Sequence, residues 1–322
     1  MFLELLPFIA IAAALTLPAM AAVGPPTAMD GEAEKEHDDA TIARRRLPIA
    51  LVLAAGAGMT VAGLTDARLL PGLPLVAVGI GLGFPAFRRL TPAGTLRAAR
   101  GLPTAVLLRG LLTFAFFAAD AYVALALQDW RGTSAVESGV VLTAATLSWT
   151  SGAWVQAHWI GRIGAARFVR IGFATVAVGI VGFATILSPA VPIAVGVVAW
   201  AVAGLGMGFS YSPLSLLVLR DAPPESQGTV TAGLQLSDVL GTALGTGVGG
   251  ALIALAHRDG AEGWIGLAWA FGAGVAVALA GFALAGRLRR PVRLPETEEA
   301  IGAVAVDRAR PAADRAAPSN QG

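Results

Sequence analysis

The sequence predicts an all-α integral membrane protein of about nine transmembrane helices. Hydrophobic residues make up 56% of its 322 residues and charged residues only 14%, whereas soluble domains carry about 25% charged residues. The charges fall between uncharged stretches that are long enough to cross a bilayer. A very apolar soluble protein is the alternative, but its charges would be scattered along the chain.

Nine apolar segments account for most of the chain. Segments of this length are helical in lipid, because every backbone N–H and C=O group must be paired within the segment and the alternating short strands of a barrel are not seen in the pattern. The predicted spans are 3–23, 47–64, 69–87, 102–127, 135–159, 168–188, 191–219, 228–256 and 264–286.

Three segments lack this apolar character. Residues 24–46 hold six acidic residues followed by Arg44, Arg45 and Arg46, which predicts a solvated, flexible linker. Residues 88–101 form a basic connector, and residues 291–322 predict a disordered tail rich in Pro, Ala and charge. The acidic residues of the linker are Asp30, Glu32, Glu34, Glu36, Asp38 and Asp39, and the basic residues of the connector are Arg88, Arg89, Arg97 and Arg100.

The distribution of arginine predicts the orientation. With the C-terminus in the cytoplasm, nearly all basic residues lie in cytoplasmic loops, and only Arg68, Arg131 and Arg258 lie outside. The expected location is therefore the plasma membrane, as a multi-pass protein with a cytoplasmic linker, connector and tail. Residues 1–22 also fit a signal peptide, but Glu4 and the lack of a basic residue before the apolar run favour a span, which places Met1 outside.

Thiol labelling tests this orientation. The chain has no cysteine, so Gly260→Cys and Arg310→Cys each introduce a unique thiol. In intact cells, we expect an impermeant reagent to label position 260, in an outer loop, and to spare position 310, in the cytoplasmic tail. The reverse pattern would contradict the orientation.

The last six spans contain recognisable glycine-rich and loop segments. These are Trp154–Gly164 at the end of span 135–159, Gly204–Pro213 within span 191–219, and Ala222–Gly228 before the glycine-rich span 228–256. Together they resemble the C-terminal six-helix bundle of the major facilitator superfamily, in its 14-span branch of drug:proton antiporters.

The resemblance implies a division of the chain. Residues 1–23 would be the last helix of an N-terminal bundle, 47–87 the two linking helices, and 102–290 the C-terminal bundle, which gives about nine of fourteen spans. The loop signature of the family departs from its pattern, with Ala157 at its first glycine and Gly161 at its aspartate. A truncated gene product, a start assigned too late and one half of a split transporter are the alternatives.

The resemblance also implies a function. It predicts a secondary transporter of the multidrug-resistance efflux type, which exports small amphipathic compounds by proton antiport and alternating access. The partners would be the lipid bilayer, the substrate, protons and, for a split transporter, a separate N-terminal half. A truncated or split-transporter subunit without transport activity of its own is the second possibility.

Three charged residues lie inside predicted spans, where each costs about 2.5–3.5 kcal/mol at a helix centre. Arg109 and Asp120 share one face of a helix, about 16 Å apart along its axis, and this face should point to protein or water. Asp238 lies at the depth of Arg109, so the two can pair. These residues are the proton-coupling candidates, with Asp120 preferred, and the alternatives are a structural ion pair or a solvated acid that faces a cavity.

Uncharged residues supply weaker candidates. Gln156, Gln235, Ser210 and Tyr211 could line a substrate path or form hydrogen bonds between helices. Small residues let membrane helices approach closely, so helix packing, static or sliding, is expected at Gly241, Gly245 and Gly249. The seven tryptophans lie largely near span ends, as interfacial anchors do; they are Trp130, Trp149, Trp154, Trp159, Trp200, Trp264 and Trp269.

Several function classes are not expected. The absence of cysteine excludes disulfides, thiolate metal sites and cysteine nucleophiles, and the three histidines have no metal-ligand spacing. No Ser/His/Asp set or phosphate-binding loop is present, so neither an enzyme nor an ATP-driven pump is predicted, and no cofactor or metal is expected. The arginines lie at helix ends, which a membrane explains better than nucleic acid.

Overall fold

The structure, a computed structural model, describes residues 30–65, 69–258 and 260–288. This part of the chain is almost entirely helical and contains no strand, as the all-α class predicts. The predicted span 3–23 and the tail 291–322 lie outside the described residues. The helices are α1 (Asp30–Thr65), α2 (Leu69–Leu90), α3 (Leu102–Leu125), α4 (Ala135–Ile163), α5 (Ala165–Ala184), α6 (Ile193–Asp221), α7 (Gln227–Arg258) and α8 (Gly263–Leu284).

Among the described residues, seven helical segments are long and apolar enough to cross a membrane. The chain is therefore a multi-pass membrane protein by these criteria, but the count falls short of the nine spans predicted. One predicted span lies outside the described residues, and α4, which covers span 135–159, is not among the seven. Although α4 has 29 residues, its Ser, Thr and Trp residues dilute its apolar character.

Local sequence signals explain where the helices begin and end. A capping box starts α4, in which the Ser134 hydroxyl accepts a hydrogen bond from the Glu137 N–H and the Glu137 carboxylate accepts one from the Ser134 N–H. Gly164, at φ 87°, separates α4 from α5 in a conformation that side chains rarely adopt. A π-helical turn over Ala126–Trp130 extends α3.

The predicted charged linker is helical where the structure describes it. Residues 30–46 are not an irregular segment in the structure, because α1 runs from Asp30 to Thr65 and includes them. Glu, Ala, Lys and Arg, which together are frequent in this segment, have high helix propensities. The apolar span that follows continues the same helix.

Helices α3–α8 enclose the hydrophobic core. Helix α6 packs along α4 and α5, α3 packs along α7, and α8 contacts α3, α5 and α7. The buried core cluster begins at Ala105 and ends at Leu288, and its largest member is Trp200. The hydrophobic core cluster of the described chain therefore lies within α3–α8 and the short segments that follow them.

Helices α1, over its residues 52–65, and α2 lie on the outside of this bundle. The two approach closely at glycines, since a Cβ added to Gly56 would lie 2.7 Å from the Gly79 carbonyl oxygen. Val61 of α1 contacts Gly247 of α7, and Leu90 of α2 lies beside Gly233. Their other faces expose large apolar side chains, which suits contact with lipid.

Candidate functional site

An ion pair between α3 and α7 lies at the centre of the candidate site. Arg109 Nε donates to Asp238 Oδ1 at 3.0 Å, and the two residues are 2% and 9% exposed. The backbones approach closely here, because a Cβ on Gly110 would lie 2.5 Å from the Ser237 hydroxyl. Thr113 of α3 donates to the Asp238 carbonyl oxygen at 3.0 Å, so the pair joins helices already in contact.

Helix α6 completes the cluster through Tyr211. The Arg109 guanidinium carbon lies 3.2 Å from the centre of the Tyr211 ring, and Nη1 donates to the Tyr211 carbonyl oxygen at 2.6 Å. The Tyr211 hydroxyl donates to the second Asp238 oxygen at 2.9 Å. A buried ion pair is stable only when further hydrogen bonds satisfy its remaining atoms, and Tyr211 does this for both partners.

A chain of aromatic rings leads from this cluster to Asp120. The Tyr211 ring meets Trp149 edge to face at 5.4 Å between centroids, and Trp149 meets Phe116 at 5.9 Å. Phe116 stacks on Trp200 at 5.2 Å, and Trp200 Nε1 donates to Asp120 Oδ1 at 3.3 Å. We call these four rings the aromatic chain; it connects the two intramembrane acids.

Asp120 has a different environment from Asp238. Its carboxylate is partly buried and takes a hydrogen bond from an uncharged donor, Trp200. Among the described residues, no basic side chain lies within ion-pair distance of Asp120. Arg109 and Asp120 both contact α6, through Tyr211 and Trp200, so the face of α3 that carries them is directed into the bundle.

The four substrate-path candidates fall in different places. Tyr211 belongs to the charge cluster, whereas Ser210 is fully buried and donates to the Val169 carbonyl oxygen of α5 at 3.1 Å. Gln235 is exposed on α7. Gln156 is 2% exposed, and its Nε2 has no hydrogen-bond partner among the described residues. Ser210 therefore joins α6 to α5 through its hydrogen bond. The buried amide N–H₂ group of Gln156 has no acceptor among the described residues.

The three α7 glycines face α3. Gly241 lies against the Gly110 carbonyl oxygen, and a Cβ on Gly245 would lie 2.5 Å from the Phe114 carbonyl oxygen. A Cβ on Gly249 would lie 2.6 Å from the Tyr122 ring. The glycines thus set the separation of the two helices that carry the ion pair.

Replacing Gly245 by alanine tests this contact. The added methyl group would meet the backbone of Phe114, which cannot rotate away, and overpacking costs about 1–3 kcal/mol. We expect a lower melting temperature of the detergent-solubilised protein. The matched control is Gly272→Ala, because a Cβ there meets nothing within 4 Å; equal melting temperatures for the two variants would contradict a close α3–α7 contact.

The aromatic chain was not foreseen from sequence. Trp149 and Trp200 were expected to be interfacial anchors, but Trp200 is fully buried and hydrogen-bonds to Asp120. One signal was available in the sequence. Phe116 precedes Asp120 by four residues, about one helical turn, so the two side chains lie on the same face of α3. The position of Trp200, well inside span 191–219 rather than at its end, offered another.

Comparison with known proteins adds no further assignment. No protein-family model and no curated protein matches the chain. Within the described ranges, no group of three or more His, Asp or Glu side chains is placed to hold a metal ion. The charge cluster, the aromatic chain and Asp120 therefore carry the functional argument.

Proposed function

We propose that this chain is a secondary active transporter of the major facilitator type, or the C-terminal part of one, that exports small amphipathic compounds in exchange for protons. The observation that carries the proposal is the buried cluster of Arg109, Asp238 and Tyr211, linked by the aromatic chain to Asp120. Ionisable residues inside membrane helices are costly and mark ion or substrate paths.

The two acids have different roles in this proposal. Protonation of Asp238 would leave the buried Arg109 guanidinium without its counter-charge, which is strongly unfavourable. Protonation of Asp120 breaks no ion pair with a described residue, because its donor is the neutral Trp200 N–H. Asp120 is therefore the proton carrier, and Arg109–Asp238 is a structural pair that joins α3, α6 and α7.

The aromatic chain supports an amphipathic substrate. Apolar pockets with a few placed polar groups are the usual form of a small-molecule site, and Trp149 and Tyr211 are only partly buried beside the charges. Alternating access would occur by rigid-body rocking of bundles, while the glycine contact and the ion pair keep α3 against α7. In this proposal the protein lies in the plasma membrane with its C-terminus in the cytoplasm, and α4 crosses as one of nine spans.

The exposed face of α4 favours a second candidate, a subunit that needs a separate N-terminal half. This face carries Thr146, Thr150 and Ser151 beside Trp154, which is 75% exposed. Each of the three hydroxyls donates to a carbonyl oxygen one turn earlier in α4, and its oxygen can still accept a hydrogen bond from a facing helical bundle or from a shared aqueous cavity. In the family that the chain resembles, two bundles face each other across such a cavity.

Reconstitution distinguishes the two candidates. The purified chain is placed in vesicles with an imposed pH gradient, and movement of a fluorescent quaternary ammonium compound is followed with and without a protonophore. Such a compound has no proton to lose, so it does not distribute with the pH gradient by itself, and protein-free vesicles are the control. A transporter gives gradient-driven movement that the protonophore abolishes. A subunit gives movement only when an N-terminal bundle encoded beside it is reconstituted too. No gradient-driven movement in either preparation would contradict proton-coupled transport.

A further inference from the structure

A groove opens on the side of the bundle where α1 and α2 meet α3 and α7. Its volume is about 290 Å³, and all of its lining residues lie between Leu53 and Leu244. Side chains such as Leu107, Leu111 and Leu240 make the lining almost wholly apolar. We call this feature the lateral groove; it shares Ser237 and Gly241 with the α3–α7 contact but contains neither Asp238 nor Asp120.

The lateral groove is open to the outside of the helix bundle. Ile80 and Phe84 form part of its wall on α2 and are 54% and 52% exposed. From Gly79 to Phe87, the α2 wall extends about 12 Å along the helix axis. The groove is at the lower end of the range for small-ligand sites, about 300–1,000 Å³, so it suits a slender apolar chain and is too small for a packed helix.

One end of the groove is strongly basic. Phe87 and Leu96 line that end, and their chain neighbours Arg88 and Arg97 are exposed, as are Arg89 and Arg100. The sequence from residue 69 to residue 119 contains no acidic residue. Within the described chain, none of these four arginines forms a salt bridge. Their charge is therefore available to an anion.

The connector that carries these arginines has a defined shape. It turns through Gly94 and Ala98, which have φ values of 90° and 48°. Arg287, at the end of α8, donates to the carbonyl oxygens of Arg97 and Ala98 at 3.2 and 3.3 Å. The basic end is thus held by the bundle rather than left as a free loop.

We propose that the lateral groove and the connector arginines bind one anionic phospholipid. An acyl chain lies in the groove, and the phosphate head group contacts Arg88 and Arg97. The arginine count places this end at the cytoplasmic surface, where anionic lipids attract basic segments beside membrane helices. Because the groove adjoins the α3–α7 contact at Gly110 and Gly241, the bound lipid packs against the helices that hold the ion pair.

Fluorescence quenching by lipids with brominated acyl chains tests the proposal. Ile80→Cys gives a unique thiol in the groove wall, and Val178→Cys gives one on α5, where the residue is 64% exposed. Each full-length variant is labelled with an environment-sensitive dye and reconstituted in phosphatidylcholine. We expect brominated phosphatidylglycerol to quench the dye at position 80 at an about fivefold lower mole fraction than brominated phosphatidylcholine, with equal quenching at position 178.

Charge variants provide the matched control. In the Ile80→Cys background, Arg88→Gln with Arg97→Gln should abolish the preference for phosphatidylglycerol, whereas Arg162→Gln with Arg167→Gln, at another predicted cytoplasmic loop, should preserve it. The same arginine changes made in the Val178→Cys background report, through quenching at position 178, whether the protein is inserted. Soluble glycerol phosphate should not remove the preference, because it lacks the acyl chain. Three results would overturn the proposal: equal quenching by the two lipids at position 80, or competition by glycerol phosphate; a preference that persists in Arg88→Gln with Arg97→Gln; or a preference that is lost in Arg162→Gln with Arg167→Gln.

Discussion

Replacing Arg109 by glutamine is expected to destabilise the protein severely. The change leaves the Asp238 carboxylate buried without its cation, and breaking a buried pair from one side costs about 3–5 kcal/mol. It also removes the guanidinium that lies on the Tyr211 ring and donates to the Tyr211 carbonyl oxygen. We expect a clear loss of melting temperature in detergent and a lower yield of inserted protein.

The double variant Arg109→Gln with Asp238→Asn should recover part of this loss. Neither side chain then carries a charge, and the two amides can still hydrogen-bond to each other and to Tyr211. If the double variant lost as much as the sum of the two single variants, the pair would not be energetically coupled.

The exposed pair Arg220–Asp221 is a close control. It has the same Nε–Oδ1 contact at the same distance, 3.0 Å, but its side chains are 49% and 25% exposed. Exposed pairs contribute about 0–1 kcal/mol. Arg220→Gln should therefore leave the melting temperature nearly unchanged, and a loss equal to that of Arg109→Gln would contradict burial as the cause.

The ion pair could be anticipated from sequence because its cause is general. A charge inside an apolar span needs a partner, and counting residues from the span ends placed Arg109 and Asp238 at similar depth. The glycines on α7 were equally readable, since only small residues permit the separation that the Gly245–Phe114 contact requires. Both features depend on helix periodicity and membrane depth, which sequence supplies directly.

The remaining features of the site depend on which helices are neighbours. Tyr211 reaches Asp238 because α6 packs beside α3 and α7, and Trp200 reaches Asp120 because the same helix contacts α3 again further along. No spacing within a single helix reveals such contacts. The apolar character of α4 was overestimated from the sequence for a different reason. Its Ser and Thr side chains are spread among aliphatic ones, so no single polar run interrupts the predicted span.

The largest functional effect is expected at Asp120. Asp120→Asn should abolish proton-coupled efflux, because an amide cannot take up and release a proton, while insertion and folding persist. Asparagine keeps an oxygen that accepts the Trp200 N–H, and no ion pair with described residues is lost. The measurement is substrate-driven proton movement in vesicles that contain the variant in a transport-competent form, with an N-terminal half supplied if the chain requires one.

Comparison with two further variants assigns the proton site. Trp200→Phe removes the hydrogen bond to Asp120 but retains a ring beside Phe116, so transport should continue with an altered pH dependence. Asp238→Asn should act mainly on stability, because it leaves Arg109 buried without a counter-charge. If Asp120→Asn transports normally and a folded Asp238→Asn protein does not, the proton site is Asp238. If both variants transport normally under a proton gradient, both acids are structural, and proton coupling requires residues outside this bundle.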